Sequence, residues 1–292
     1  MRVTGIGGGH GLATTLRAAR LYAGEVDAVV TVADDGGSSG RLTRELGIPA
    51  PGDIRNCLVA LAGDERLADL YQHRFRSGAL TGHTAGNLVI AALAEMTGDF
   101  AAAVVEAGRL LGATGRVHPA TTQRVELRAW SAGEILRGQV AVAQARAPIQ
   151  AVYLDPSDPP ANPAAVAAIR AADQVVLGPG SLFTSLIATV LVPGVRDALR
   201  TTRAQRVYVC NTRMQKGETE GLGAGEHLEA LLAHAGPFAV DAVVVQSPPL
   251  RDDGVAIDGA GFSGVQIVEA DVASVAGTHD AGRLARVLRS LA

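Results

Sequence analysis

The sequence predicts an α/β fold: a mostly parallel sheet with helices on both faces and a small inserted β/helical subdomain. Three observations carry this. Short runs at Val3 to Ile6, Ala28 to Val32, Gln174 to Leu177, Arg206 to Cys210 and Val240 to Gln246 are apolar without clean alternation. Strands buried on both faces read that way. Second, helical spacing follows several of them. Third, a strand, a Gly/Ser loop and a helix recur as a unit at 3–22 and at 174–191. The whole chain, 1–292, reads as a single α/β domain, with an insertion at about 113–148.

In the first unit, Val3 to Ile6 is a strand, Gly7-Gly8-Gly9-His10-Gly11 a loop, and Leu12 to Tyr22 a helix. This is the phosphate-cradling arrangement of nucleotide-binding sheets. Leu12 stands where the strict G-x-G-x-x-G pattern has its third glycine. The next apolar run ends in Asp34-Asp35-Gly36-Gly37-Ser38-Ser39-Gly40. Two carboxylates at a strand's carboxyl end stand where open α/β sheets bind ligands. Gly36 and Gly37 allow close backbone approach and an anion nest, and Ser38 and Ser39 add hydroxyls. The simpler reading is a turn whose Asp caps the next helix. Asp34 lies near the separation at which an acid meets a nucleotide ribose, a second role besides metal binding.

Pro51-Gly52-Asp53-Ile54-Arg55-Asn56 is a turn with Asp53 as N-cap of a helix through Leu58 and Leu61. Arg55 and Asn56 bring a cation and an amide to that helix start. Asp64 to Phe75 is an amphipathic helix with His73 at the surface. Gly82-His83-Thr84-Ala85-Gly86-Asn87 opens an apolar helix through Ala94. His83 and Asn87 share a face there, and His83 reads equally as a packed histidine or a site residue. Phe100 to Leu111 is helical. Gln123 to Trp130 and Gln139 to Arg146 are expected as strands of the insertion, and Ile149 to Leu154 as a return to the main sheet. A Pro-rich connection follows.

The second unit is Gln174 to Leu177, then Gly178-Pro179-Gly180-Ser181, then a helix over Leu186 to Leu191. Its helix start is expected to offer free amides and hydroxyls to an anion. Two such loops in one sheet suggest a ligand with two charged parts, such as a diphosphate. Arg206 to Cys210 ends in Asn211. The loop Gln215 to Gly221 precedes a helix over Glu226 to Ala235. His279 and Asp280 are read as caps of the last helix, Ala281 to Leu291.

Charge narrows the partners. The net charge of −3 excludes a polybasic nucleic-acid surface, and 3% aromatics leaves no base-stacking platform. Of 26 basic residues only Lys216 is lysine. Cys57 and Cys210 have no metal-ligand spacing and read as reduced, packed thiols. No signal peptide and no apolar run of roughly 18 to 20 residues is present, so a cytoplasmic protein without membrane insertion is expected.

Five stretches taken together resemble one family. Gly7 to Leu12, Val32 to Gly40, Pro51 to Asn56, Gly82 to Leu88 and Gly178 to Ser185 are similar to the YvcK-type gluconeogenesis factors, in order and over nearly the whole chain. The wider superfamily includes the 2-phospho-L-lactate transferase CofD. The resemblance implies a Rossmann-like sheet with an added subdomain. It implies binding of UDP-sugars, UDP-N-acetylglucosamine in particular, and control of carbon flux, cell envelope and cell shape under gluconeogenic growth. CofD instead moves a phospholactyl-type group from a guanosine diphosphate carrier to a deazaflavin, with Mg²⁺. His10 departs from the family's usual Thr, and Met214-Gln215-Lys216-Gly217-Glu218-Thr219 from its Thr-Gln-Pro-Gly-Glu-Thr.

As a regulator, the chain would hold a diphosphate on Gly8, Gly9, His10, Gly11, Gly180 and Ser181. Asp34 or Asp35 would take a ribose or sugar hydroxyl, and Asn211 would lie near base or sugar. Gly37, Ser38, Ser39, Arg55, Asn56 and Asn87 would complete the pocket. As a transferase, Asp34 and Asp35 would hold Mg²⁺, and Asp35, Asp53 and His83 would form the catalytic set, with Asp53 or His83 accepting a proton. A third reading is a dinucleotide-binding module, and a homo-oligomer is compatible with all three. The site readings require Asp35, Arg55 and Ser181 to converge on one crevice.

Overall fold

The computed structural model describes residues 1–236, 238–257 and 262–292. Its strands are β1 (Arg2–Gly7), β2 (Glu25–Val30), β3 (Arg116–Pro119), β4 (Glu126–Ser131), β5 (Glu134–Arg137), β6 (Ile149–Asp155), β7 (Gln174–Leu177), β8 (Gln205–Val209), β9 (Ala242–Gln246) and β10 (Gln266–Ala270). Seven of them form one parallel sheet in the order β10-β9-β8-β7-β1-β2-β3. From β1 the chain moves outward to β2 and β3. It then returns to β7, on the other side of β1, and moves outward the opposite way. This reversal opens a crevice beyond the carboxyl ends of β1 and β7.

Consecutive side chains of β2 and β9 are buried, and in a strand these point to opposite faces. Both faces are therefore covered. Leu12 and Leu16 from the helix Gly9–Ala19, and Leu58 and Leu61 from the helix Gly52–Leu61, join the core. The expected α/β class and Rossmann-like sheet are the observed ones.

Four local expectations are corrected. Gln139 to Arg146 is not a strand. Gly138, at φ +88°, ends β5, and Gln139–Ala143 turns into a short helix. Ile149 to Leu154 does not rejoin the main sheet; β6 pairs antiparallel with β4, which pairs antiparallel with β5. The half-exposed pattern of β6 suits a sheet with one wet face. The small sheet thus spans 126–155, while 116–119, inside the expected insertion, belongs to the main sheet. The third correction is the two unforeseen edge strands, β3 and β10. Both are short, and exposed Gln266 and Glu269 mask β10. The β3 edge is locked by Asp27, which accepts from Arg116 Nε at 2.8 Å and lies 2.8 Å from His118 Nε2. Fourth, the helix after β7 begins at Leu182 as a π-helical turn, Leu182–Ile187, and continues as Ala188–Val190.

Among the described residues no single helix is long and apolar enough to cross a membrane.

Strands β4 and β5 are joined by Ala132 and Gly133, both at positive φ (49° and 84°), as a type I′ turn demands. Alanine bears a steric cost there that asparagine largely avoids. Ala132→Asn is expected to stabilise by about 0.5–1 kcal/mol, a Tm rise of roughly 1–4 °C in thermal unfolding.

Candidate functional site

The crevice is built from backbone first. Gly8 is extended, and Gly9, at φ +62°, starts the helix Gly9–Ala19 with no side-chain cap and no acid in the first turn. Each glycine has a steric reason. A Cβ on Gly8 would lie 2.3 Å from Asp53 Oδ2, and one on Gly11 would lie 2.4 Å from the Pro179 carbonyl oxygen. The two glycine loops therefore touch. Thr15 Oγ1 donates to the Gly178 carbonyl at 2.7 Å, and Thr189 Oγ1 to the Gly7 carbonyl at 3.1 Å. The Gly180 amide donates to Asn211 Oδ1 at 3.0 Å. Asn211 Nδ2 donates to Gln215 Oε1 at 3.1 Å, and Gln215 Nε2 to Ser181 Oγ at 3.0 Å.

These groups border a cavity of about 280 Å³, whose walls include His10, Arg17, Gly180, Asn211, Arg213 and His279. His279 was expected to cap. Asp280 alone caps, accepting from the Arg283 amide at 2.8 Å. His279 Nε2 instead lies 3.1 Å from the Cys210 carbonyl, so Nε2 carries the proton and Nδ1 is left as an acceptor. Burial pushes its pKa down to about 4, against the opposing carbonyl hydrogen bond, so the ring is neutral at pH 7. Arg17 and Arg213 were also missed. Their only sequence signals were a helical position facing the loop and adjacency to Asn211.

A second cluster lies beside the first and is almost wholly buried. It contains Ser38, Ser39, Asp53, Arg55, Asn56, His83, Thr84 and Asn87. Arg55 is its hub. Nη1 donates to Thr84 Oγ1 at 2.7 Å and Asn87 Oδ1 at 3.2 Å, and Nη2 to Asn56 Oδ1 at 2.6 Å. Asn87 Nδ2 donates to Ser38 Oγ at 3.1 Å. The Ser38 hydroxyl proton is then free for His83 Nδ1, 3.0 Å away. Burial and the charge of Arg41 lower the His83 pKa, with Glu45 opposing, which fits a neutral ring accepting at Nδ1.

Asp53 joins the two clusters. Its Oδ2 is buried with no hydrogen-bond partner and faces Gly8. Burial, reinforced by the Asp34 charge, pushes its pKa up to about 7, despite a hydrogen bond from Gly9 and the charge of Arg55. Asp34 is also raised by burial, although it accepts from the Gly36 amide at 2.9 Å.

Two expected site groups serve the fold instead. Asp35 Oδ1 accepts from the Val140 amide at 2.9 Å, which caps the short helix of the insertion. Asp35 is thus tied to the insertion through one oxygen, while its charge adds to burial in raising Asp34, and the charge of Asp34 in turn raises Asp53. At the π-helical turn the first amides are not free. Glu218 Oε2 accepts from the Phe183 and Thr184 amides at 3.1 and 3.2 Å, and Oε1 from Thr184 Oγ1 at 2.8 Å. None of Asp35, Arg55 and Ser181 lines the 280 Å³ cavity itself; Ser181 adjoins it through Gln215, and Arg55 through the Asp53 carboxyl lying against Gly8. Arg55 donates through Nη1 and Nη2 inside the buried network and keeps a buried Nε without a partner, Ser181 holds Gln215, and Asp35 holds the insertion. The expected residues that do line it are His10, Gly11, Gly180 and Asn211.

A Rossmann-like sheet with glycine loops meeting at its switch point defines the class. The family model for 2-phospho-L-lactate transferase CofD matches residues 3–282. The chain belongs to the CofD family, among its YvcK-type gluconeogenesis factors. It is 47% identical over 304 aligned positions to a putative gluconeogenesis factor of Mycobacterium tuberculosis, covering 98% of this chain and 89% of that protein. It is 43% identical to the gluconeogenesis factor of Bacillus subtilis, covering 85% and 79%. A putative gluconeogenesis factor of Nostoc is 46% identical over 84% of this chain, which spans about half, 54%, of that longer relative. A crystal structure of a UPF0052 family member from Bacillus halodurans superposes with a TM-score of 0.94 at 38% identity over 98% of each chain.

An acid whose folded pKa is raised costs stability once ionised. The cost of Asp53 is absent below its unfolded pKa near 4 and complete above about 7. Asp53→Asn is therefore expected to stabilise increasingly from pH 4 to pH 8, by as much as ~4 kcal/mol at the upper end. Thermal melts across that range check it; parallel pH profiles for variant and wild type would contradict it.

Proposed function

We propose that the chain is a cytoplasmic nucleotide-sugar-binding regulator, with a ligand of the UDP-N-acetylglucosamine type. In this reading it controls carbon flux, cell-envelope synthesis and cell shape under gluconeogenic growth. The observation that carries it is the meeting of His10, Gly11, Gly180 and Asn211 on one cavity at the switch point. The uncapped helix start at Gly9 suits a diphosphate, through amides and dipole together. Arg17 brings positive charge to the same cavity, the charge of Arg213 being paired with Asp253, and neutral His279 offers an acceptor to a sugar or base donor. Nothing in this arrangement requires a nucleophile. The names of the relatives support the gluconeogenic part of this reading.

One observation favours a second reading, a CofD-like phospholactyl-type transfer from a guanosine diphosphate carrier to a deazaflavin. Asp53 keeps an unpartnered buried oxygen and titrates near neutrality. Among the described residues no group of three or more His, Cys, Asp or Glu is placed around a metal. Mg²⁺ needs only one or two carboxylates when phosphates and water complete its shell. Asp34 and Asp53 fit as such hard donors, in place of Asp34 and Asp35. Bound there, Mg²⁺ would neutralise phosphate charge. As a ligand Asp53 would be ionised; only without the metal is it the residue able to hold a proton, while His83 acts through Ser38.

Titration calorimetry with UDP-N-acetylglucosamine tests the first reading. Heat is expected with the wild type, and about tenfold weaker binding, roughly 1.4 kcal/mol, with Asn211→Ala. No heat at millimolar ligand would overturn it. Turnover of the guanosine-diphosphate-linked donor, abolished by Asp53→Asn, would establish the second instead.

A further inference from the structure

The loop that holds Ser181 and Asn211 has another side. Gln215 borders the first cavity, while Lys216, the next residue, borders a separate cleft against the insertion. That cleft is two contiguous spaces of about 550 and 180 Å³, which share Ala145, Arg146, Gly217 and Glu220. It is a built junction. Gly217 sits at φ +84°, and a Cβ there would lie 2.5 Å from the Ala143 carbonyl oxygen, so only glycine lets the two walls approach this closely.

Four charged side chains line the cleft: Arg146, Lys216, Glu218 and Glu220. Buried Glu218 is engaged through both oxygens, and exposed Glu220 through one. Glu218 takes the amides of Phe183 and Thr184, and Glu220 Oε2 accepts from the Gly217 amide at 3.3 Å. Among the described residues the side chains of Arg146 and Lys216 make no hydrogen bond or ion pair. The uncommitted side-chain donors of the cleft are the two cations, one on each wall, and the neutral amide of Gln144.

We propose that this cleft is a second ligand site, for a small molecule carrying two anionic groups. One group is held by Arg146 and the other by Lys216. Pockets at the seam between a core and an appended subdomain are a common place for such ligands. The shared loop links the sites. Whatever draws Lys216 and Arg146 together acts on the wall that carries Gln215 and Glu218, and any coupling between the sites is reciprocal. The inference does not depend on the nucleotide-sugar reading of the first cavity.

Because Lys216 is the only lysine, its reaction with an amine-selective acylating reagent is read on one peptide, with the Met1 amine as internal reference. Inorganic pyrophosphate is the probe. At about ten times its dissociation constant it is expected to slow Lys216 acylation roughly tenfold, with the Met1 amine unaffected. The protection should disappear in Arg146→Ala and persist in Arg17→Ala, which alters the first cavity away from the shared loop. No protection at saturating probe, protection unchanged in Arg146→Ala, or protection lost in Arg17→Ala would each overturn the proposal.

Discussion

The Asp53 carboxylate, pressed against the backbone of Gly8 and Gly9, is the constraint on which the rest of the crevice depends. It excludes any side chain at position 8, where a Cβ would overlap Oδ2. It faces the charge of Asp34 in a site with little water, and Arg55 is the cation that offsets both. Arg55 can do this only because Thr84, Asn87 and Asn56 hold its guanidinium. One acid thereby ties the helices Gly37–Leu46, Gly52–Leu61 and Ala85–Thr97 to the loop after β1. An apolar side chain would be cheaper to bury. A carboxyl kept near its titration point in a closed crevice is more typical of a functional position than of a structural one.

The parts of this legible in the sequence were those governed by local pattern. Buried parallel strands announce themselves as apolar runs, and glycine runs after β1 and β7 mark the places where backbone must approach backbone. Asp34, Asp53, Arg55 and Asn87 were found because each stands at a strand end or in a first helical turn. What stayed hidden was decided by distant partners. Gln139 to Arg146 carries strand-like residues, yet Asp35, about a hundred positions earlier, fixes it as a helix start through the Val140 amide. His279 looks like a cap until the Cys210 carbonyl is brought beside it. The edge strands β3 and β10 are short and partly polar because edges must resist further pairing, which erases the signal that identifies an inner strand.

The most instructive misreading concerns anions. A helix start rich in glycine and serine says that negative charge is welcome there; it does not say whose. At the π-helical turn the charge is the chain's own, from Glu218, and at the insertion helix it is Asp35. The helices starting at Gly9 and Gly37 lie at the strand ends and, like the one starting at Ala85, have no side-chain cap and no acid in the first turn. Asp34 and Asp53 reach only the amides at their edges, Gly36 and Gly9, so dipole and donors remain uncompensated. These two starts therefore keep donors that the start after β7 has given to Glu218. Because Asp53 lies against Gly8 and Gly9, any anion placed at the first of them would have to bring a cation or meet a protonated acid. That condition links the charge state of the crevice to what it can hold, whichever chemistry follows.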